Sequence, residues 1–121
     1  LPANFLDTGD GIVIVDWEYA GMGDPFFDLG NFAVNNELDE AGGDRLLEAY
    51  FREPATSRRR AALNLFRFMS DFREAMWGVV QTSVSELDFD FPAYADKHFQ
   101  RLTATGGDPR FRTWLEEAGG A

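Results

Sequence analysis

The 121-residue sequence predicts a mainly α-helical fold that begins with a short β-hairpin. Three observations lead to this prediction. A β-branched run at 12–15 follows a turn-forming segment, Asp–Pro pairs at 24–25 and 108–109 are typical helix starts, and apolar residues recur every three or four positions across 57–86. We therefore expect a small hairpin attached to a helical body.

The hairpin prediction rests on turn chemistry between two apolar stretches. Residues 7–11 (DTGDG) supply the Asp and Gly that favour tight turns, with residues 5–6 before them and 12–15 (IVIV) after them. Because 12–15 is apolar throughout instead of alternating with polar residues, we expect both faces of this strand to be covered.

Five helices are predicted from start signals, chain breakers and periodicity. Asp24 is a suitable N-cap for a helix with Pro25 at its first position, and Asp108–Pro109 repeats that pattern. In chain order, the predicted helices cover residues 25–36, 40–52, 57–86, 92–104 and 109–117.

The predicted core combines aromatic residues near the hairpin with an apolar stripe of the long helix. Trp17, Phe26, Phe27 and Phe32 are expected in this core. His98, the single histidine, is expected at the surface or at the edge of the core. The stripe along 57–86 consists of Ala62, Leu65, Met69, Phe72, Met76, Val79 and Ser83.

The composition excludes several classes of protein. Without cysteine, the chain has no disulfide framework, thiolate zinc site or Cys nucleophile. A net charge of -10 argues against nucleic acid as a partner. The longest aliphatic run, 12–15, is far shorter than the ~20 residues that span a bilayer, so no membrane partner is expected. With no basic leader at its start, the chain is expected in the cytoplasm and looks like part of something longer.

The negative charge is concentrated in the first part of the chain. Residues 1–53 hold 12 acidic and two basic side chains, whereas residues 54–121 hold nine of each. Either a solvated acidic face or a site for a metal or a cationic ligand explains this asymmetry. The three arginines at 58–60 stand at the start of the long helix, where cations oppose the helix dipole. We expect them to face water, in preference to contacting acidic side chains.

Asn4 and Asp16 are candidate metal ligands at the two ends of the hairpin. A hairpin brings its ends together, so an amide oxygen and a carboxylate could meet on one hard cation such as Mg²⁺. An Asp that follows an apolar strand is about as often a helix cap or a turn residue, and both interpretations stand at this point.

Three stretches resemble the choline/ethanolamine kinase family, a branch of the aminoglycoside-phosphotransferase group. They are residues 1–6 (LPANFL), 14–20 (IVDWEYA) and 24–31 (DPFFDLGN), in the order and spacing of that family. Residues 77–81 (WGVVQ), followed by Asp88–Phe89 and 93–95 (AYA), are similar to choline kinases as well.

The resemblance implies the C-terminal lobe of a protein-kinase-like fold. It assigns residues 1–105 to that lobe, with a Mg²⁺-binding hairpin at 1–19 and a helical body at 24–105, and leaves 106–121 as an extension. The catalytic-base Asp of this family would precede Leu1, and the nucleotide lobe lies outside the chain. The 121 residues alone are therefore expected to be inactive.

The resemblance also implies roles for single residues in the metal region. Asn4 and Asp16 match the two Mg²⁺ ligands of such kinases. Glu18 lies beside them, as possible catalytic support and as a substrate contact. Asp28 matches a buried acid that braces the catalytic loop.

The substrate side is assigned to aromatic residues. Trp77, Phe89 and Tyr94 match positions where the family places aromatic rings near choline, whose quaternary ammonium is recognised by ring faces and carboxylates. Packing alone also explains Trp77. The family often has a second Trp three residues earlier, where this chain has Glu74.

The function implied by the resemblance is the transfer of the γ-phosphate of ATP, with Mg²⁺, to choline or a related small amino alcohol. An aminoglycoside- or thiamine-type phosphotransferase is an alternative. A further alternative is a non-catalytic kinase remnant that binds a partner. Surfaces left by the missing lobe would favour self-association.

Overall fold

The computed structural model describes residues 1–17 and 20–119 and confirms the mainly helical fold with an N-terminal hairpin. A short 3₁₀ turn at Pro2–Asn4 leads into the hairpin. The elements that follow are β1 (Phe5–Asp7), β2 (Ile12–Ile14), α1 (Pro25–Asn35), α2 (Glu40–Phe51), α3 (Ser57–Val84), α4 (Phe91–Gly106) and α5 (Phe111–Ala118).

The two strands form the predicted antiparallel hairpin. Phe5 pairs with Ile14 and Asp7 pairs with Ile12. Asp7 Oδ1 accepts a hydrogen bond from the Gly9 amide at 2.8 Å, so the turn is closed by the Asp chemistry that predicted it.

The expectation that both faces of β2 are covered was wrong for the described residues. Ile12, Val13 and Ile14 are exposed, and the sheet has two strands. The hairpin contacts the helical body through the Phe5 ring, which packs edge-on against Phe32 of α1 at 5.3 Å. An apolar run predicts a β-strand, but it does not predict which element packs on each face of that strand.

Capping side chains fix the starts of the first four helices. Asp24, Asp39, Thr56 and Asp90 each accept a hydrogen bond from a backbone amide in the first turn that follows. Each such cap satisfies one amide that the helix itself leaves unpaired. The predicted starts at 25, 40 and 57 are thereby confirmed.

The fifth helix begins two residues later than the sequence predicted. Asp108 accepts from the Arg110 amide at 2.8 Å and pairs with the Arg110 guanidinium, so it closes a local turn instead of capping a helix at Pro109. Helix α5 then packs onto α3, with Trp114 buried and Phe111 against Phe68 at 5.1 Å.

The core lies where α1, α2 and α3 meet. Its buried members are Leu29, Ala33, Leu47 and Leu63. Helix α3 is the central element, because α1, α4 and α5 all pack against it. Within the described ranges, no helix has both the length and the apolar character that a membrane crossing requires.

Several predicted core residues lie elsewhere. Trp17 is 65% exposed and Phe27 is exposed, whereas Phe26 and Phe32 are half-buried. Phe26 packs beside the Phe51 ring at 5.7 Å, which places it at the edge of the core.

The predicted stripe of α3 is not the face that α3 buries. Met69, Phe72, Met76 and Val79 are all exposed. Apart from Leu63 of the core, the buried face instead carries small and polar residues, and these are Ala61, Ser70, Asp71, Glu74, Ala75 and Gly78. Small side chains allow neighbouring helices to approach closely. The face of α3 that is buried is therefore not the one that apolar periodicity predicts.

The arginines at the start of α3 do not all face water. Arg60 forms an ion pair with Asp44 at 2.7 Å, and Arg59 pairs with Glu53 at 2.7 Å while lying over the Phe51 ring. Acidic neighbours thus offset the unfavourable position of these cations at a helix N-terminus.

Substitution of Gly30 with Ala should destabilise the complete protein by at least about 2 kcal/mol. A Cβ at this position would lie 2.6 Å from the Phe66 carbonyl carbon and 2.9 Å from the Arg67 amide, so the backbones of α1 and α3 would have to separate. Denaturant unfolding followed by circular dichroism measures the change. Gly21→Ala is the control, since a Cβ there meets nothing within 4 Å, and an equal loss in both variants would contradict the close-approach explanation.

Candidate functional site

The hairpin register brings Asn4 and Asp16 to neighbouring positions. The Val15 amide donates to the Asn4 carbonyl at 2.9 Å, one step beyond the Phe5–Ile14 pair. Asn4 is half-buried and Asp16, the next residue after Val15, is exposed. The hairpin therefore places an amide and a carboxylate at the end of the two strands that lies away from the turn.

Asp16 has a backbone conformation that side-chain-bearing residues rarely adopt. Its φ of 68° lies in the left-handed region, which Asp tolerates better than most residues do. The Trp17 indole Nε1 donates to the Ile14 carbonyl at 2.7 Å, and this bond closes the chain around Asp16. Backbone strain that is held in place by local contacts is typical of functional positions.

The donor set of this region fits a hard cation such as Mg²⁺. One carboxylate and one amide oxygen are the type of ligand that Mg²⁺ takes, with water and phosphate oxygens completing its shell. Among residues 1–17 and 20–119, no three His, Asp or Glu side chains gather closely enough to hold a metal. An ion bound here would thus depend on ligands from outside this part of the chain.

The resemblance assigned two other residues, Glu18 and Asp28, to this region. Glu18 lies outside the described residues. Asp28 is exposed, whereas the resemblance implied a buried acid. It lies in the first turn of α1, and the buried residues of that helix are Leu29, Gly30, Ala33 and Val34. The bracing role of Asp28 stays a prediction.

The three aromatic residues assigned to the substrate side converge. The Trp77 and Tyr94 rings are 5.5 Å apart at 72°, and the Phe89 and Tyr94 rings are 6.0 Å apart at 64°. Phe91 lies 5.6 Å from Trp77 and 4.9 Å from Phe89. We call Trp77, Phe89, Phe91 and Tyr94 the aromatic cluster.

Burial divides the aromatic cluster into a floor and a rim. Phe91 is buried, whereas Trp77 and Phe89 are about half exposed at 47% and 55%. Phe91 was not among the predicted site residues, although it alternates with Phe89 and stands beside Pro92 in the sequence. Partly exposed aromatic rings beside a buried ring can receive an organic cation.

A glycine allows the two helices of the aromatic cluster to approach each other. A Cβ on Gly78 of α3 would lie 3.1 Å from Ala95 Cβ and 3.2 Å from Tyr94 Cδ1. Since Gly78 adjoins Trp77 in sequence, this close approach sets the distance between the Trp77 and Tyr94 rings.

Tyr94 also connects the aromatic cluster to a buried carboxylate. Its hydroxyl donates to Glu74 Oε2 at 2.5 Å, and Glu74 is buried on α3. Burial, followed by the bond to Glu74, raises the pKa of the Tyr94 phenol well above its ordinary value. The phenol therefore donates to Glu74, and this bond orients the ring.

A buried charged network lies one helical turn further along. His98 Nδ1 lies 2.7 Å from Asp71 Oδ1, and Arg101 Nη2 donates to the same oxygen at 2.6 Å. Asp71 and His98 are almost completely buried. The expectation of a surface or core-edge histidine was therefore wrong. A polar face was visible in the spacing of Tyr94, His98 and Arg101, which follow one another at helical intervals on α4.

Arg101 extends the network to a third helix. Its guanidinium donates to the Val34 carbonyl at 3.1 Å and to Asn35 Oδ1 at 3.2 Å, both in α1. The His98 ring in turn lies 4.6 Å from the Tyr94 ring. The network thus joins α1, α3 and α4 directly beneath the aromatic cluster.

The structure assembles two separate groups from the predicted site residues. Asn4 and Asp16 lie together at the hairpin, and Trp77, Phe89 and Tyr94 lie together on α3, on α4 and in the segment between them. No hydrogen bond, ion pair or ring contact of residues 1–17 and 20–119 joins the two groups.

A groove between α2, α3 and α5 contains none of the predicted residues. Its charged lining is largely paired, with Arg60 on Asp44 at 2.7 Å and Arg110 on Glu40 at 2.6 Å. The candidate site therefore consists of Asn4 and Asp16 at the hairpin and of the aromatic cluster.

The chain matches the model of the phosphotransferase enzyme family over residues 1–63, a stretch that holds the hairpin, α1 and α2. Among curated proteins, it is 38% identical over 50 residues to Protein LicA of Haemophilus influenzae, covering 41% of this chain and 19% of that protein. It is 34% identical over 114 residues to ethanolamine kinase 2 of Rattus norvegicus, covering 78% of this chain and 30% of that protein.

A solved structure is similar along nearly the whole chain. It is a choline/ethanolamine kinase family protein from Mesorhizobium loti, 37% identical, with a TM-score of 0.87 over 95% of this chain and 39% of that one. This likeness confirms the kinase-lobe fold implied by the sequence. The chain spans well under half the length of these relatives.

Asp71→Ala should cost the complete protein about 3 kcal/mol or more of folding stability, because His98 and Arg101 would lose their buried partner. Thermal unfolding gives the change. Asp44→Ala is the matched control, since it also removes a carboxylate from an arginine, but in an exposed pair, and its loss should be much smaller. Comparable losses would show that burial of Asp71 has no special effect.

Proposed function

Since the chain belongs to the phosphotransferase enzyme family, we propose that it forms the metal- and acceptor-binding part of an ATP-dependent kinase. The acceptor that we propose is choline or a related small amino alcohol. The observation that carries this proposal is the convergence of Trp77, Phe89 and Tyr94 beside the buried carboxylate of Glu74.

The aromatic cluster suits the cationic end of such an acceptor. An ammonium group is attracted to the faces of Trp and Tyr rings, and a desolvated pair is worth about 2 kcal/mol. Tyr94 contacts both the Trp77 ring and the Glu74 carboxylate, so a cation bound there would lie close to aromatic rings and to a negative charge. The relatives named as choline/ethanolamine or ethanolamine kinases support an acceptor of this kind.

Asn4 and Asp16 are proposed to hold Mg²⁺ against the phosphates of ATP. When bound, the ion would neutralise charge on the transferring phosphoryl group. The hairpin register brings the two proposed oxygen ligands to neighbouring positions, and the backbone of Asp16 adopts a left-handed conformation with φ of 68°. Glu18 is proposed to support this region.

The reaction itself belongs to the complete protein. The resemblance places the catalytic base before Leu1, and the chain spans 39% of the similar solved structure. We therefore propose that residues 1–121 contribute metal ligands and acceptor contacts, while the base and the nucleotide lobe come from elsewhere. On this proposal, the 121 residues alone are inactive.

A different small-alcohol acceptor, such as an aminoglycoside or thiamine, is the second candidate. The family match covers residues 1–63 and so does not include the aromatic cluster. A panel of acceptors with the complete protein distinguishes the two. Preference for amino alcohols supports the first candidate, and preference for an aminoglycoside or thiamine supports the second.

Asp16→Ala should lower the turnover of the complete protein by roughly 100-fold or more, because one of two protein ligands to the ion is lost. A coupled assay of ADP release measures the effect. Asp10→Ala, which removes an exposed acid from the same hairpin, should leave turnover unchanged. Near-normal turnover of Asp16→Ala would disprove its assignment as a ligand.

Trp77→Ala should raise the KM for the amino alcohol by about 10-fold and change the KM for ATP little, because one ring of the cation site is removed. Phe72→Ala is the matched control, an aromatic of the same helix with nearly the same exposure, 45% against 47%. Equal KM changes in the two variants would show that Trp77 does not contact the acceptor.

A further inference from the structure

Among the residues that the structure describes, Glu74 is a buried carboxylate whose hydrogen-bonding capacity is not filled. Its side chain is about 10% exposed, and Oε2 accepts from the Tyr94 hydroxyl at 2.5 Å. Oε1 lies 3.6 Å from Nη1 of Arg73, whose side chain is half exposed. An ionised carboxylate offers about four acceptor positions, so several remain for a further donor.

The unused acceptor positions lie beside the aromatic cluster. Glu74 and Trp77 are three residues apart on α3 and therefore share a face of that helix. Both contact Tyr94, which meets Trp77 with its ring and Glu74 with its hydroxyl. A cation held against the rings thus has a carboxylate at its side.

Burial makes this carboxylate sensitive to the chemistry of the cation. A buried charge is costly unless it is paired and hydrogen-bonded. A quaternary ammonium carries charge but no N–H, so it leaves the acceptor positions of Glu74 empty. An ammonium with an N–H fills one of them with a charge-assisted hydrogen bond.

We propose that Glu74 is a specificity-determining residue that makes the site prefer ammonium groups bearing an N–H. This inference rests on the function proposed above and narrows its acceptor. Ethanolamine and its N-methyl and N,N-dimethyl derivatives are better substrates than choline. The preference is about 10- to 100-fold for the last step of the series, where the remaining N–H is replaced by a methyl group.

The experiment compares kcat/KM for these four acceptors in the complete protein and two variants. Glu74→Gln keeps an oxygen that can accept from Tyr94 but removes the charge. Tyr94→Phe keeps the charge and the ring but removes the hydrogen bond. The quantity compared is the ratio of kcat/KM between N,N-dimethylethanolamine and choline, and circular dichroism verifies that each variant is folded.

We expect this ratio to be about 10 or more in the unaltered protein and in Tyr94→Phe. In Glu74→Gln we expect it to fall below about 3. If Glu74 acts only by supporting Tyr94, Glu74→Gln leaves the ratio unchanged, and Tyr94→Phe lowers kcat/KM for both acceptors equally. That result, or a ratio near 1 in the unaltered protein, overturns the inference and leaves the proposed kinase function intact. Inactivity of the unaltered protein on all four acceptors overturns both.

Discussion

The carboxylate of Asp71 is fully buried between α3 and α4, and the candidate acceptor site depends on its pairing there. From α4, Arg101 forms an ion pair with it at 2.6 Å, and His98 Nδ1 lies 2.7 Å from the same oxygen. The Arg101 guanidinium also reaches α1 through Val34 and Asn35. One anion therefore fixes the relative positions of three helices. The His98 ring, held by the same anion, packs against Tyr94 and so transmits this order to the aromatic cluster.

The two groups of site residues differ in physical character, and each suits one of the two reactants proposed above. The hairpin offers hard oxygen ligands in a partly exposed, conformationally constrained setting, as a hydrated divalent ion and phosphates require. The α3–α4 side offers ring faces over a buried floor with a carboxylate beside them, as an organic cation requires. The acidic excess in residues 1–53 has the sign that would favour the Mg²⁺ proposed at the hairpin.

Local features were predictable from the sequence, whereas choices among faces were not. The helix starts after Asp24, Asp39 and Thr56 depend on caps within a few residues of each start, so the sequence contains the whole cause. The grouping of Trp77, Phe89 and Tyr94 was accessible through the family resemblance. The left-handed backbone of Asp16 depends on the fold around the end of the hairpin, and no sequence pattern predicts it.

The wrong prediction of the buried face of α3 has a physical explanation. Apolar periodicity identified a stripe of α3 that includes Met69 and Phe72, yet packing buried the face with Asp71 and Glu74. Periodicity reports which face repels water, but a face can be buried through small residues and paired charges instead. Those pairs join residues 20 to 30 positions apart, as in Tyr94 with Glu74 and Arg101 with Asp71. Their existence depends on the helix crossing that Gly78 permits, which no local pattern contains.

The most direct test of the account is phosphorus NMR of the complete protein with ATP, Mg²⁺ and an amino alcohol. We expect a new phosphomonoester resonance that appears together with ADP in equal amount, requires the amino alcohol, and is lost when the Mg²⁺ is chelated. Phosphoester formation on an aminoglycoside or thiamine with none on choline or ethanolamine would contradict the assignment of the aromatic cluster as an ammonium site. Absence of any acceptor-dependent ADP would contradict the kinase function as a whole.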